Sequence, residues 1–202
     1  MNQPHYYLFG DSLTELGLQE GGWIHFLLER FGRTALCIPR GRSGYNSSWL
    51  LSDLDNMADP KLSAAPSFIT LLIGSNDCCT TTHQAVDIDK YEQNINDIVK
   101  KFTDLYNIAS ERIYLITPPP TLDEDRIKVS VYADTVRKVA SERGTTLIDL
   151  WNSDWDEDCF VDGLHFSGKG NYILASKVLY SLKEDVISEL DCFSWDHWSV
   201  RS

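Results

Sequence analysis

The chain has 202 residues, of which 18 are Lys or Arg and 30 are Asp or Glu, giving a formal net charge of -12. At roughly 150 residues per domain, this length predicts one domain, which we place at 1–189, followed by an aromatic tail at 190–202. A hydrophobic content of 43% excludes a disordered chain, and the negative charge would repel a phosphate backbone, so nucleic acid is not expected as a partner.

The cellular compartment is predicted from the cysteines and from the N-terminal segment. Five cysteines form no Cys-x-x-Cys pair, which favours reduced thiols. The first ten residues contain neither a basic stretch nor a long apolar one, and no apolar run approaches the roughly 18 residues of a membrane-spanning helix. We therefore expect a cytoplasmic protein without stable membrane association. The histidines and cysteines lack metal-ligand spacing, so no metal is expected.

Short apolar runs alternate with helical patterns along the chain. The predicted buried strands are Tyr6–Phe9, Ala35–Ile38, Phe68–Ile73, Ile113–Ile116 and Thr146–Leu150. Helical spacing predicts one amphipathic helix through Tyr91, Ile95, Ile98, Phe102 and Leu105, and a last helix, capped by Ser167, through Tyr172, Ala175, Leu179, Leu182 and Val186. This order predicts an α/β fold with a five-stranded parallel sheet in a three-layer α/β/α sandwich. Catalytic groups are then expected in the loops at the C-terminal ends of the strands.

Three polar loops follow the first three predicted strands. The first reads Gly10-Asp11-Ser12-Leu13, so it places a serine hydroxyl at the C-terminal edge of the sheet, where a nucleophile would stand. The alternative interpretation is that this loop only caps the helix that follows. The next two loops, Gly41–Asn46 and Gly74–Asp77, contain glycine and asparagine, whose amides are good donors to a developing oxyanion but are also ordinary in turns.

A fourth motif, Asp162-Gly163-Leu164-His165, precedes the last predicted helix. An aspartate next to His Nδ1 would fix the tautomer of the ring, which leaves Nε2 free to take a proton from serine as a general base. The alternative is a surface histidine at the start of a helix. Asp-x-x-His by itself has little specificity, although it occurs once in this chain.

Together the four motifs resemble those of the GDSL esterase/lipase family, also called the SGNH hydrolases, in the same order from about residue 7 to residue 171. The loops Arg40–Asn46 and Ile116–Pro120 and the Asp162–His165 motif look most like the branch of isoamyl acetate-hydrolysing esterases. The resemblance implies a flavodoxin-like fold that needs no cofactor and no metal. It further implies a Ser12-His165-Asp162 triad and an oxyanion hole made by the backbone amides of Ser12 and Gly44 and by the side chain of Asn76.

The predicted function is hydrolysis of small, neutral carboxylic esters of the short-chain acetate type through an acyl-enzyme. An O-acetyl-sugar esterase or an acyl thioesterase on the same fold remains an alternative. Outside the enzyme class, a flavodoxin-like binding module is disfavoured, because neither Gly-x-Gly-x-x-Gly nor a P-loop follows the first strand. The expected partner is a small-molecule ester, and the sequence leaves a homodimer open. The tail is rich in tryptophan, and we expect it to pack on the domain and limit the acyl length.

Overall fold

The computed structural model of the chain describes residues 3–58, 62, 64–80, 83–123 and 128–191. In this part of the chain, five strands form one parallel sheet in the order β2-β1-β3-β4-β5. The strands are β1 His5–Gly10, β2 Leu36–Gly41, β3 Phe68–Leu72, β4 Ile113–Ile116 and β5 Thr146–Ile148. The predicted five-stranded α/β fold is therefore confirmed.

Helices cover both faces of the sheet because successive strand residues point to opposite sides. The α-helices of the described residues are α1 Ser12–Glu15, α2 Trp23–Phe31, α3 Ser47–Met57, α4 Ile88–Tyr106, α5 Val129–Arg143, α6 Gly168–Ser181 and α7 Glu184–Leu190. Tyr7 and Phe9 of β1 face an apolar cluster formed with α3, α4 and α5, which we call the α3–α5 cluster. Tyr6 and Leu8 face a second cluster on the other side of the sheet, formed mainly with α2, α6 and α7, which we call the α2–α6 cluster.

The register of the sheet brings three loops together at one edge. Gly10, the last residue of β1, pairs with Gly41 of β2 and with Leu72 of β3, so these strands end at the same level. Neighbouring backbone lies so close to Gly10 and Gly41 that neither position has room for a side chain. A Cβ atom on Gly10 would overlap the Thr14 side chain and the Leu72 carbonyl, and one on Gly41 would overlap the backbone of Glu15. The first turn of α1 is thus packed directly onto the ends of β1 and β2.

The last predicted helix is wrong in one respect. The chain leaves the helical conformation at Leu182, so α6 and α7 are separate helices, although neither proline nor glycine marks the break. The buried stripe of α6 runs through Leu174, Ala175 and Val178, while Tyr172 rests its ring edge on Phe26 and remains 61% exposed. The predicted N-cap is confirmed, because the Ser167 hydroxyl accepts hydrogen bonds from the backbone amides that begin α6.

The end of α7 lies at the edge of the sheet opposite the three loops. Glu189 accepts a hydrogen bond from Ser67 and pairs with Arg112, and these two residues directly precede β3 and β4. Asp191 pairs with Arg30 at the end of α2. Residues 192–202 lie outside the described residues, so the packing of the tail stays a prediction. In the described part of the chain, no helix combines the length and the apolar character needed to cross a membrane.

Candidate active site

Ser12 is the first residue of α1 and is buried at the C-terminal edge of the sheet. Asp11 caps this helix, because its carboxylate accepts a hydrogen bond of 2.9 Å from the backbone amide of Leu13. The capping interpretation of the loop is therefore correct for Asp11. It does not compete with the nucleophile interpretation, since the Ser12 hydroxyl is left to make a different contact.

That contact is with His165. The Ser12 Oγ lies 3.0 Å from His165 Nε2, and His165 Nδ1 lies 2.6 Å from Asp162 Oδ2. Ser12, His165 and Asp162 thus form one continuous series of hydrogen bonds, as predicted. The last two lie about 150 positions after Ser12 in the chain. This is the arrangement in which a histidine removes the hydroxyl proton of a serine while a carboxylate orients the ring.

A closed loop carries Asp162 and His165. The backbone amide of Val161 donates to the carbonyl of His165 at 2.8 Å, and the amide of Ser167 donates to the carbonyl of Cys159 at 2.9 Å. Below these bonds, Trp155 stacks on Phe166 with ring centroids 5.4 Å apart. The loop therefore has its own backbone closure and a packed aromatic base, which together hold the imidazole next to Ser12.

The Asp162 side chain is 52% exposed, and its hydrogen bonds favour the ionised carboxylate. Burial acts to raise the pKa of this carboxyl, but hydrogen bonds from the His165 ring and from the backbone amides of His165 and Leu164 outweigh it and lower the pKa to about 2. An ionised carboxylate can only accept hydrogen bonds, so Nδ1 of His165 carries the ring proton and Nε2 accepts from Ser12.

The loop after β2 contains Gly44, one of the predicted oxyanion donors. Gly44 has a φ of +79°, a left-handed conformation that favours glycine. On one side of the loop, the amide of Ser43 donates to the Glu15 carboxylate of α1 at 2.5 Å, and hydrogen bonding with Ser43 lowers the pKa of Glu15. The amide of Arg42 also donates to the Gly10 carbonyl at 2.9 Å. This loop is thereby fixed to the turn that carries Ser12.

Asn76, the other predicted donor, follows β3 and contacts the same loop. Its side-chain amide donates one hydrogen bond of 2.8 Å to the carbonyl of Tyr45. An asparagine amide has two hydrogens, and this bond uses one of them. The structure thus joins the Gly44 and Asn76 loops to each other, and the sheet register places both beside the end of β1.

Gln84 is a residue of this site that sequence reasoning missed. Its side-chain amide donates to the Gly44 carbonyl at 2.7 Å, and its own backbone carbonyl accepts a hydrogen bond of 2.8 Å from the side chain of Asn46. Gln84 therefore bonds the loop at Gly44 and at Asn46, the residues on either side of Tyr45. It lies in none of the four motifs, and no local pattern in the sequence indicates a contact with residues about 40 positions away.

Asp77 was missed as well, although it stands next to Asn76 in a motif. Its fully buried carboxylate accepts from the backbone amide of Ser47 at 2.9 Å and also from the Ser47 hydroxyl, which in turn accepts from Asn94 of α4 at 2.8 Å. Burial raises the pKa of Asp77 to about 6, against the lowering effect of its bonds with Ser47. This network anchors the Asn76 loop to the start of α3.

No group of three His, Cys, Asp or Glu residues in the described ranges is arranged to hold a metal ion. The side chains that converge at the edge of the sheet are instead a hydroxyl, an imidazole, carboxylates and amides. These are the groups of acyl transfer by a serine, and a serine paired with His and Asp beside a parallel sheet defines the class of serine hydrolases.

Within that class, the chain belongs to the GDSL-like lipase/acylhydrolase family, whose sequence profile matches residues 8–173. It is 31% identical to a GDSL esterase/lipase of Arabidopsis thaliana, with 92% of this chain and 88% of that protein covered. It is 32% identical to the isoamyl acetate-hydrolyzing esterase 1 homolog of Homo sapiens, with 93% of this chain and 84% of that protein covered. The resemblance noted in the sequence is therefore confirmed, and the chain is a serine ester hydrolase.

Solved structures agree on the fold. An acetyl xylan esterase, AlAXEase, superposes with a TM-score of 0.75 at 24% identity, covering 89% of this chain and 100% of that one. A lipase/acylhydrolase from Enterococcus faecalis gives a TM-score of 0.73 at 20% identity, covering 88% of this chain and 94% of that one. The three-layer fold predicted from the resemblance is thus the SGNH hydrolase fold.

Proposed function

We propose that this protein hydrolyses small, uncharged carboxylic esters with Ser12 as the nucleophile and an acyl-enzyme as the intermediate. The observation that carries the proposal is the continuous series from Ser12 Oγ through the His165 ring to the Asp162 carboxylate, with distances of 3.0 and 2.6 Å. Family membership supports ester hydrolysis, and this series supports the assignment of the individual residues.

In the first half of the reaction, Ser12 Oγ attacks the ester carbonyl carbon while His165 Nε2 accepts the hydroxyl proton. The positive charge that forms on the imidazole lies against Asp162, whose pKa of about 2 keeps it ionised throughout the neutral range. The same Nε2–H then donates the proton to the oxygen of the leaving alcohol. The carbon–oxygen bond to the alcohol breaks, and the acyl group remains on Ser12.

The negative charge of the tetrahedral intermediate requires donors that are already in place. We assign these to the backbone amides of Ser12 and Gly44 and to the side-chain amide of Asn76. The bonds from Gln84 to the Gly44 carbonyl and from Asn76 to the Tyr45 carbonyl support this assignment, because they fix the donors before the substrate arrives. Each donor lost from such a site costs about 10²-fold to 10³-fold in kcat.

In the second half, water takes the place of the alcohol. His165 Nε2 removes a proton from the water, and the remaining hydroxide attacks the acyl carbon. The bond between that carbon and Ser12 Oγ then breaks, Oγ takes the proton back from His165, and the carboxylic acid that leaves ionises in the solvent. The net charge of -12 favours a neutral substrate and the departure of an anionic product. Short-chain acetate-type esters are the substrates that we propose. The cytoplasmic location and the partners expected from the sequence also stay predictions.

A serine-directed fluorophosphonate probe tests the nucleophile directly. We expect one labelled peptide containing Ser12, and we expect Ser12→Ala to abolish both labelling and hydrolysis of p-nitrophenyl acetate. Ser52→Ala is the matched control, because Ser52 is exposed on α3 and bonds only the carbonyl of Ser48 within its own helix. Labelling at another residue, or full activity of a folded Ser12→Ala variant, would refute the proposal. Parallel rates on acetylated sugars and acyl-CoA measure the two alternative substrate classes.

A further inference from the structure

A cavity of about 210 Å³ lies beside His165. Leu13, which follows the nucleophile, forms one wall together with Leu16, and Val161 and Phe166 of the closed loop form another. The glycine pair that precedes α2 and the first residues of α6 complete the lining. A larger cleft of about 400 Å³ is lined by Trp151, Trp155 and Phe160, but neither Ser12 nor His165 borders it.

We propose that the 210 Å³ cavity binds the alcohol part of the ester, and that this alcohol is apolar and uncharged. The inference rests on the proposed function. His165 Nε2 must reach the oxygen of the leaving alcohol in order to protonate it, so the alcohol chain has to begin beside the imidazole. His165 and Leu13, the neighbour of Ser12 in the chain, line this cavity, while Ser12 itself does not. The cavity is therefore next to the imidazole, on the side of Leu13.

The opposite side of Ser12 is reserved for the carbonyl oxygen. Tyr45, next to Gly44 in its loop, packs on the α3–α5 cluster, whereas Leu13 and Phe166 belong to the α2–α6 side of the sheet. The oxyanion donors and the cavity therefore approach Ser12 from different faces of the sheet. An ester bound with its carbonyl oxygen toward Asn76 directs its alcohol toward Leu13 and Leu16.

The lining determines which alcohols fit. Its four large apolar side chains favour hydrocarbon, and two of its polar side chains are already occupied. The amide of Asn171 accepts from the Trp23 amide at 3.0 Å and donates to the Ser167 carbonyl at 3.0 Å, and the Ser167 hydroxyl donates to the Asp158 carbonyl. Gln19 contributes a neutral polar side chain to the lining. Glu20 at the rim repels anionic groups, which disfavours a phosphate-bearing leaving group such as coenzyme A. An apolar protein cavity of about 150 Å³ holds benzene, so this one admits an alcohol of about eight non-hydrogen atoms.

Two lining residues allow the cavity to be changed in opposite directions. Val161 is 70% exposed and is tied to His165 only through its backbone amide, so Val161→Trp narrows the cavity without removing that bond. Leu16→Ala enlarges it from the other wall. The matched control is Val131→Trp, the same change at an exposed position of α5 that lines none of these pockets.

Two series of esters separate the alcohol side from the acyl side. In the first, acetate is constant and the alcohol lengthens from ethyl through butyl and hexyl to octyl. In the second, the ethyl group is constant and the acid lengthens from acetate to octanoate. Release of acid is followed in a pH-stat, and kcat/KM is measured for the wild-type enzyme and the three variants. Circular dichroism and Tm verify folding, and Leu16→Ala carries the test if Val161→Trp does not fold.

We expect Val161→Trp to lower kcat/KM for hexyl acetate about tenfold relative to ethyl acetate, and to leave the ratio of ethyl hexanoate to ethyl acetate within about twofold. Leu16→Ala should raise kcat/KM for octyl acetate relative to that for hexyl acetate. Val131→Trp should change the kcat/KM ratios of neither series. A shift confined to the ethyl series would assign the cavity to the acyl chain and overturn the inference, as would unchanged ratios in both series. A wild-type protein that hydrolyses neither series refutes the proposed function itself, and the inference falls with it.

Discussion

Replacing Gln84 by methionine tests whether the oxyanion loop is held in place from outside the four motifs. Methionine has a similar length and shape but no amide, so Gln84→Met removes the 2.7 Å hydrogen bond to the Gly44 carbonyl. The bond from Asn46 to the backbone carbonyl of residue 84 is kept, because it does not involve the side chain. The variant therefore removes the hydrogen bond to Gly44 and keeps the one from Asn46.

The size of the effect is worked from the bond to the Gly44 carbonyl. A partly buried hydrogen bond contributes about 1 kcal/mol, which is roughly a fivefold change in an equilibrium constant. The Gly44 amide stays in the site and is only less firmly oriented, so we expect kcat to fall about fivefold to tenfold, well short of the 10²-fold to 10³-fold cost of deleting a donor. KM should change little, because a donor to the developing oxyanion acts in the transition state. The Tm should fall by about 2–4 °C.

The assay is kcat and KM on p-nitrophenyl acetate, together with Tm by circular dichroism. Gln93→Met is the matched control, since Gln93 is exposed on α4 and its side chain accepts a hydrogen bond from the exposed Lys90 on the same helix. A Gln84→Met variant with a lowered Tm and an unchanged kcat would show that Gln84 stabilises the loop without positioning a donor. A raised KM at constant kcat would show that it acts on substrate binding, and either result would refute the reasoning.

Three further changes test the rest of the site. Asn76→Ala should lower kcat about 10²-fold to 10³-fold with the fold retained, and a folded variant of full activity would remove Asn76 from the oxyanion hole. Burial raises the pKa of Asp77 from 3.8 to about 6, so the folded protein binds more protons than the unfolded chain between these values and stability falls as the pH rises through them. At about 1.36 kcal/mol per pKa unit, the free energy of unfolding falls by about 3 kcal/mol. Urea unfolding at pH 4 and pH 7 should show this fall in the wild type but not in Asp77→Asn. Removal of residues 192–202 spares the buried Leu190 and the Arg30–Asp191 ion pair. If the tail limits the acyl length, the truncated enzyme should accept a broader range of acyl chains. An unchanged acyl-length preference in a stable truncation would reject that role.

The sheet and the positions of the proposed reacting groups could be predicted because their signals are local. Alternating apolar residues in a short run specify a strand, and a polar residue directly after a parallel strand lies at its C-terminal edge. Ser12 and Asn76 follow this rule, whereas His165 was found from the Asp-x-x-His motif and the family resemblance. The contact of Gln84 with Gly44 has no such local signal, since any amide in that segment would look the same in the sequence. The break at Leu182 was missed for a related reason, because the apolar spacing continues through it without a breaker residue.

The two halves of the site are held by different physical means. The proposed oxyanion half is built on a fully buried network, in which Asp77 accepts from Ser47 and Ser47 accepts from Asn94 beneath the loops of Gly44 and Asn76. The acid–base half is carried by an accessible loop, with Asp162 52% exposed, and it depends on backbone closure and on aromatic packing. Fixed dipoles gain strength in a low dielectric, while a histidine that exchanges protons with water in the second half of the reaction needs access to solvent. Substitutions in the buried network should therefore alter stability and kcat together, whereas exposed changes around His165, such as those at Val161, should alter substrate preference with little effect on stability.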